Sequence, residues 1–260
     1  GGFHLIETPQ ADVTQILNTY LDRGGNYIET AADYGDGISE TKIGTAISHR
    51  RNDFILASKC GKRTKAEAEQ SIQRSLQNLK TDHLDILFMH AVQTEKEAEN
   101  IVAKDGAIHA PLEAQKAGVV KYIAISGHGY PYGLLRSIEL FDYDILMTLF
   151  NYFDVYNYPV INEKLVPRCL EKGIGLIGMK ALADGYLYRS PEQGIRYALS
   201  QPISTLVLGI NTMEYLDYDW QLIDTFKPMS QDELSDVKKN AVELNDSVCR
   251  QCKTCDSPLI

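Results

Sequence analysis

Short apolar runs alternate with longer amphipathic stretches along almost the whole chain. Seven runs of five to eight residues are rich in β-branched and other apolar side chains, and they predict strands. They cover residues 26–30, 53–59, 84–90, 119–126, 144–151, 173–180 and 204–209. Nearly continuous apolar strands that alternate with helices predict a parallel sheet covered by helices.

The stretches between these runs have helical spacing. Residues 12–24 place five apolar or aromatic side chains on one face of a helix, namely Val13, Ile16, Leu17, Tyr20 and Leu21. Glycine follows several such stretches just before the next strand, as at Gly173, which is a common way to end a helix. The acidic segment 94–105 predicts a solvated loop or helix.

Seven strand–helix units with no break between them favour one α/β domain. No G-x-G-x-x-G loop follows the first predicted strand, where a doubly wound dinucleotide-binding sheet has it, and this disfavours such a sheet. A length of 260 residues fits a (β/α)8 TIM barrel of about 250 residues. Because GGFHL is typical of the loop after a strand, we expect a first strand before Gly1. The predicted organisation is a barrel over residues 1–246 and a cysteine-rich tail over residues 247–260.

The charge balance narrows the classes of partner. There are 26 Lys and Arg against 35 Asp and Glu, which gives a net charge of −9. Without basic clusters, this balance disfavours nucleic acids and anionic membrane surfaces as partners. No apolar run approaches the ~20 residues that cross a bilayer. We therefore expect a cytoplasmic protein, while an export signal before Gly1 stays open.

Polar residues and one glycine stand at the carboxyl ends of the seven predicted strands. They are Glu29, Lys59, His90, Ser126, Asn151, Lys180 and Gly209. Any one of them is compatible with an ordinary capped or salt-bridged residue. Since active sites of such barrels lie at the carboxyl ends of the strands, the set as a whole predicts one polar pocket. Tyr34, in the loop after Glu29, is expected at the same place.

These residues carry a resemblance to a known family. The segment YIETAADYGDGISETKIGTAI (27–47) is similar to the aldo-keto reductase pattern of a strand ending in Asp-Thr-Ala, then Tyr-Gly, Ser-Glu and a helix. A Lys and a His end the next two strands in the family's order, and the resemblance extends over nearly the whole chain. It implies the barrel, NADPH-dependent reduction of a carbonyl to an alcohol, and four catalytic residues, Glu29, Tyr34, Lys59 and His90.

The chemistry of this set can be stated from the residue types. A phenol with a pKa of about 10 is a weak acid at neutral pH, and a nearby ammonium group stabilises its phenolate. Lys59 is therefore expected to lower the pKa of Tyr34, the proton donor, while Glu29 holds Lys59 in place. His90 is expected to orient the carbonyl oxygen or to relay the proton. Tyr34 and His90 together would stabilise the developing alkoxide.

The chain departs from the family at several positions. Glu29 stands where the family has Asp. The family's Lys and Arg that bind the 2′-phosphate of NADPH have no counterpart in residues 209–219, where Tyr215 occupies the arginine position. The cofactor-binding positions implied by the resemblance are Ser126, Gly127, Met147, Met179, Lys180, Gly209, Asn211 and Tyr215. A 2′-phosphate requires cationic or abundant donor contacts, so the choice between NADPH and NADH stays open.

Three of the five cysteines form a C-x2-C-x2-C motif, at Cys249, Cys252 and Cys255. So tight a triplet predicts a metal or iron–sulfur site. With SGHG (126–129) and MKAL (179–182), it resembles an aldo-keto reductase branch that has a ferredoxin-like tail and a 4Fe–4S cluster. Leu259 stands where that motif has its fourth cysteine, so we expect an incomplete cluster site. A Zn²⁺ ion with a fourth ligand from elsewhere is the alternative.

Two functions of different classes follow. The expected function is reduction of a small aldehyde or ketone with hydride from NADPH or NADH, with a tail cluster passing single electrons to or from a partner. The alternative is a catalytically weak barrel whose cysteine tail senses redox state or binds a partner. Substrate identity and oligomeric state do not follow from the sequence, because specificity in barrels depends on variable loops.

Overall fold

The computed structural model describes residues 2–128, 130–154 and 158–241. Seven strands lie in this part of the chain. They are β1 (Tyr27–Glu29), β2 (Ile55–Cys60), β3 (Leu84–Met89), β4 (Val120–Ser126), β5 (Ile145–Leu149), β6 (Gly175–Met179) and β7 (Thr205–Val207). All seven predicted strands are confirmed, with ends that differ from the prediction by at most two residues.

Helices separate the strands. The α-helices of the described residues are α1 (Gln10–Asp22), α2 (Ile38–Ile47), α3 (Lys65–Leu79), α4 (Glu95–Val102), α5 (His109–Lys116), α6 (Pro131–Leu140), α7 (Val166–Lys172), α8 (Pro191–Leu199), α9 (Met213–Asp224) and α10 (Gln231–Asn240). Short 3₁₀ turns cover Gly2–Ile6, Ser48–Asp53 and Ala183–Gly185, and a π turn covers Ile161–Leu165. The acidic segment near residue 100 is therefore helical.

The described residues divide into two compact units. Unit one consists of the residues up to His90, 100–125 and 207–226, and unit two of 91–99, 126–206 and the described residues from 227 onward. In unit one, β1 to β4 are parallel neighbours, with Ala57 of β2 opposite both Glu29 and Ile86. In unit two, β5 and β6 are parallel.

The first helix illustrates how the hydrophobic pattern builds unit one. The predicted apolar face is buried at Val13, Ile16, Leu17 and Leu21. Tyr20 is only half-buried, and its hydroxyl donates to the carbonyl of Tyr27 at 3.1 Å and accepts from its N–H at 3.2 Å. The aromatic residue predicted as core thus fixes the start of β1 by hydrogen bonding.

Unit two has a hydrophobic core of its own. Its cluster consists of Tyr152, Ala183, Leu187, Tyr197, Met229 and Val237. Gly173 ends α7 in the left-handed conformation, with φ of 70°, and its N–H caps the helix. This confirms the predicted role of that glycine, because a side chain would be strained there.

None of the helices in the described ranges combines the length and the hydropathy that a bilayer crossing requires. The predicted tail, 247–260, lies outside the described residues, so its boundary stays a prediction.

Candidate active site

The four predicted catalytic residues come together in unit one. Glu29 is the last residue of β1, Lys59 is the penultimate residue of β2, and His90 directly follows β3. Tyr34 lies in the loop after β1. Parallel pairing of β1 with β2 and of β2 with β3 puts the carboxyl ends of all three strands at one edge of the sheet.

Lys59 is the centre of this group. It is 2% exposed, and its ammonium contacts the carboxylate of Glu29, which is 4% exposed. The ammonium also donates to the carbonyl oxygen of Thr30 at 2.9 Å and to Oη of Tyr34 at 3.0 Å. An ammonium group has three N–H donors, so these three acceptors use all of them. The contacts that hold Lys59 therefore suit its charged form.

The pKa values in this group correct one expectation. Burial lowers the pKa of Lys59 well below its usual value, while the adjacent Glu29 carboxylate favours the ammonium. Burial, and next the charge of Asp33, raise the pKa of Tyr34 to about 12. The net pKa of Tyr34 in the free protein is therefore above its usual value, not below it. Burial outweighs the ammonium, and Tyr34 holds its proton at neutral pH, as a proton donor must.

Buried hydrogen bonds from α2 support the ends of β1 and β2. Ser39 Oγ lies 2.8 Å from Oγ1 of Thr30 and donates to the carbonyl of Gly2 at 2.7 Å. Glu40, which is fully buried, accepts from Oγ of Ser58 at 2.6 Å. The Ser-Glu pair of the sequence motif therefore positions the strands that present Glu29 and Lys59.

Two aromatic rings pack edge-on against Tyr34. The ring centroid of Phe3 lies 5.4 Å from that of Tyr34, and the ring of His90 lies at 5.7 Å. Phe3 is 57% exposed, which is unusual for so large an apolar residue. The sequence contains no pattern that singles out Phe3, since its role depends on where the segment Gly2–Ile6 lies.

His90 has a carboxylate partner in the loop after β1, which the sequence pattern did not predict. Nδ1 of His90 lies 3.1 Å from Oδ2 of Asp33, the residue before Tyr34. Burial lowers the pKa of His90 below its usual value, whereas the hydrogen bond to Asp33 acts in the opposite direction. That hydrogen bond lowers the pKa of Asp33. At neutral pH the pair is therefore a neutral imidazole beside an ionised carboxylate.

Five of the implied cofactor positions lie in unit two. Ser126, at the end of β4, is buried, and its Oγ accepts from the N–H of Ala91 at 3.3 Å. The N–H of Gly127 donates to the carbonyl of Met147 at 3.2 Å. Met147 and Met179 are both buried.

Lys180 supplies the cationic group among these five positions. It adopts φ of 57° directly after β6, and its Nζ lies 2.8 Å from the carboxylate of Asp184. The carbonyl of Lys180 accepts from Nδ2 of Asn151 at 2.9 Å. Asn151, the polar residue expected at the end of the fifth strand, is buried and held by this bond. Both N–H groups of the Asn151 amide are used within the protein, on Lys180 and on Asp154, the latter at 2.7 Å. The hydroxyl of Ser126 fits an amide of a dinucleotide, and the ammonium of Lys180 fits a pyrophosphate once it leaves Asp184.

The remaining three positions, Gly209, Asn211 and Tyr215, lie in unit one. Tyr215 is 54% exposed, and its N–H donates to Oγ1 of Thr212, the N-cap of α9. Residues 209–219 contain no Lys or Arg. Arg23 at the end of α1 reaches this segment, but its guanidinium pairs with Asp217 at 2.6 Å. This donor set does not fit a 2′-phosphate, because the nearby charges are acidic or already paired.

The predicted metal ligands, Cys249, Cys252 and Cys255, lie outside the described residues. Within the described ranges, no group of three or more His, Cys, Asp or Glu side chains is placed to hold a metal ion. Cys60 and Cys169 are buried and free.

The ion pair makes a testable prediction about stability. Glu29→Gln removes the countercharge and leaves a buried ammonium, so we expect the free energy of unfolding to fall by about 3 kcal/mol. Urea denaturation followed by circular dichroism measures this loss. Asp36→Asn is the matched control, since it breaks the exposed Asp36–Arg74 pair and should change stability little. Equal losses of stability in the two variants would contradict the role of Glu29 as the countercharge of buried Lys59.

The model of the Aldo/keto reductase family matches residues 1–202 of the 260. A Bacillus subtilis protein named "Uncharacterized oxidoreductase YqkF" is 30% identical over 198 residues, which are 72% of this chain and 61% of that protein. D-threo-aldose 1-dehydrogenase of a Pseudomonas species is 26% identical, over 72% of this chain and 64% of that protein. The chain thus spans less than two thirds of the length of these relatives.

Solved structures agree in fold. The holo form of the aldo-keto reductase AKR11C1 from Bacillus halodurans has a TM-score of 0.78 at 22% identity, over 91% of this chain and 89% of that one. An aldo-keto reductase from Klebsiella pneumoniae in complex with NADPH has a TM-score of 0.71 at 18% identity, over 88% of this chain and 84% of that one.

This likeness confirms the predicted (β/α)8 barrel fold class. The family match covers well over half of the sequence and includes every residue of the Glu29, Tyr34, Lys59 and His90 group. The chain belongs to the aldo/keto reductase family.

Proposed function

We propose that the protein is an NAD(P)H-dependent oxidoreductase that reduces an aldehyde or a ketone to an alcohol. One observation carries this proposal. The protonated hydroxyl of Tyr34 lies 3.0 Å from a buried ammonium, that of Lys59, beside the ring of His90. The proposal is also supported by membership of the aldo/keto reductase family and by relatives that are named as an oxidoreductase and an aldose dehydrogenase.

The residues of the candidate site supply and stabilise the proton donor of this reaction. When bound, the reduced nicotinamide supplies a hydride to the carbonyl carbon. Tyr34 donates its phenolic proton to the carbonyl oxygen, which completes the alcohol. The phenolate that remains is the base conjugate to an acid of pKa about 12, so it needs a countercharge, and the ammonium of Lys59 supplies it. Glu29 keeps Lys59 charged and in place.

We assign different residues to the two ends of the dinucleotide. Ser126 has a hydroxyl that suits an amide, and Lys180 has an ammonium that suits a pyrophosphate once it leaves Asp184. Gly127, Met147, Met179, Gly209 and Asn211 are further positions that we assign to cofactor binding. The structure of the Klebsiella pneumoniae aldo-keto reductase is a complex with NADPH. This chain lacks a free cation in residues 209–219, so we propose that it binds NADH at least as tightly as NADPH.

Replacement of the proposed acid should stop the reaction. Tyr34→Phe removes the phenolic proton but retains the ring, so we expect carbonyl reduction to fall by at least about 100-fold with an unchanged circular dichroism spectrum. Tyr122→Phe is the matched control, because Tyr122 is exposed on β4 and should not affect turnover. Turnover that persists in Tyr34→Phe would refute the assignment of Tyr34.

Cofactor preference should respond to one added charge. Tyr215→Arg places a guanidinium at the position that the family uses for the 2′-phosphate, so we expect NADPH affinity to rise about 10-fold with little effect on NADH. Fluorescence titration with each reduced nucleotide measures both dissociation constants. Tyr218→Arg, at another exposed position of α9, is the control for added positive charge. An equal gain in both variants, or none in Tyr215→Arg, would contradict this account.

We further propose that residues 1–246 form the barrel and residues 247–260 a tail that binds an iron–sulfur cluster. The support is the spacing of Cys249, Cys252 and Cys255, together with the resemblance of the tail to a ferredoxin-like motif. A cluster there would pass single electrons to or from a partner protein. A cytoplasmic location, where nicotinamide cofactors are abundant, is part of the same proposal.

The tail proposal has its own test. Protein purified anaerobically should contain iron and acid-labile sulfide and show a broad visible absorbance, and Cys252→Ser should lose all three. Cys169→Ser is the control, since Cys169 is buried in α7. Stoichiometric zinc without sulfide would favour the alternative metal, and the absence of iron and zinc from the anaerobic protein would refute a metal site.

A further inference from the structure

A second carboxylate reaches the candidate site from the residue before Tyr34. Oδ2 of Asp33 lies 3.1 Å from Nδ1 of His90, whose side chain is 12% exposed. We propose that Asp33 is a positioning residue for His90. The carboxylate of Asp33 accepts a hydrogen bond from Nδ1–H of His90 and so directs Nε2 of His90 toward the substrate oxygen. The identity of that oxygen rests on the proposed function, whereas the orientation of the ring does not.

The carboxylate determines which ring nitrogen carries the hydrogen. An ionised carboxylate only accepts hydrogen bonds, so the hydrogen must be on Nδ1. The hydrogen bond lowers the pKa of Asp33, which is therefore ionised at neutral pH. A neutral imidazole with Nδ1–H has its lone pair on Nε2. Without Asp33, the two neutral tautomers of His90 would be closer in energy.

The loop after β2 is built to accommodate this pair. A Cβ added to Gly61 would lie 2.2 Å from Oδ2 of Asp33, so a residue with a side chain would displace the carboxylate. Arg63 donates to the carbonyl oxygen of Gly61 at 3.1 Å and to that of His90 at 2.8 Å. One guanidinium thus fixes the backbone on both sides of the pair.

The charges that face His90 oppose one another. Lys59 of β2 and Arg63 of the following loop both lower the pKa of His90, and the hydrogen bond and charge of Asp33 raise it. Tyr34, whose ring packs edge-on against His90, is uncharged at neutral pH. Lys62 acts on Asp33, whose pKa it lowers. Asp33 therefore supplies the negative charge that a doubly protonated His90 requires beside two cations.

The tautomer has a consequence for the direction of the reaction. Nε2 donates a hydrogen bond to a carbonyl oxygen only when His90 is doubly protonated, whereas the neutral ring accepts one from an alcohol. Carbonyl reduction should therefore increase as the pH falls through the pKa of His90. Alcohol oxidation should increase as the pH rises through the same value.

Nitrogen-15 NMR of the imidazole rings tests this inference without any substrate. The chain has six histidines, and the signal lost in His90→Gln identifies His90. We expect wild-type His90 to be protonated on Nδ1 in its neutral form. Asp33→Asn should lower the pKa of His90 by about one unit and leave its neutral ring as a mixture of the two tautomers. Gly61→Ala, which displaces the carboxylate without removing it, should shift the pKa in the same direction.

Controls separate a local effect from a general one. Asp82→Asn breaks the exposed Asp82–His83 pair and should leave the pKa and the tautomer of His90 unchanged. In the activity assay, a one-unit shift reduces the doubly protonated fraction of His90 about 10-fold above its pKa. The kcat of Asp33→Asn for carbonyl reduction at neutral pH should therefore fall about 10-fold. The pH profile of this kcat should move to lower pH by about one unit.

The outcomes distinguish this inference from the proposed function. An unchanged pKa and tautomer of His90 in both Asp33→Asn and Gly61→Ala would overturn the positioning role, whether or not the protein reduces carbonyls. A shifted His90 signal in a protein without any carbonyl reduction would support the positioning role and contradict the proposed function.

Discussion

The buried ion pair between Lys59 and Glu29 is the contact on which the arrangement of the candidate site depends. An ammonium that is 2% exposed is stable only if it is paired and hydrogen-bonded, because burial of an isolated charge is costly. Glu29 supplies the countercharge, and Thr30 and Tyr34 accept the other two N–H groups. The requirement to satisfy Lys59 thus fixes where the hydroxyl of Tyr34 lies. Because Glu29 ends β1 and Lys59 lies near the end of β2, the same ion pair also holds the ends of these two strands together.

Burial and charge act in opposite directions on the residues around this pair. Burial raises the pKa of Tyr34 and lowers those of Lys59 and His90, so it favours the neutral form of each. Direct contact with Glu29 and with Asp33 favours the charged forms of Lys59 and His90. The free site therefore already holds an ammonium beside Tyr34 and a carboxylate beside His90, which are countercharges for the charges that develop during proton transfer.

Much of the fold was accessible from the sequence, because apolar runs and helical spacing report directly on burial. The same holds for Glu29, Lys59 and His90, which could be found as polar residues at strand ends. Asp33 and Phe3 could not be found in this way, since their roles depend on loop conformation rather than on periodicity. The direction of the pKa shift of Tyr34 could not be predicted, because the sequence reveals neighbouring charges but not the depth of burial.

The central claim is that this site transfers hydride to a carbonyl carbon, and the most direct measurement follows the hydride itself. The protein, purified anaerobically, is incubated with NADH or NADPH deuterated at C4 of the nicotinamide and with a panel of aldehydes and ketones. Deuterium NMR of the products then locates the label. We expect deuterium on the carbinol carbon of at least one product alcohol. Absence of label from every product with both nucleotides would contradict the account and favour a barrel that binds without catalysing.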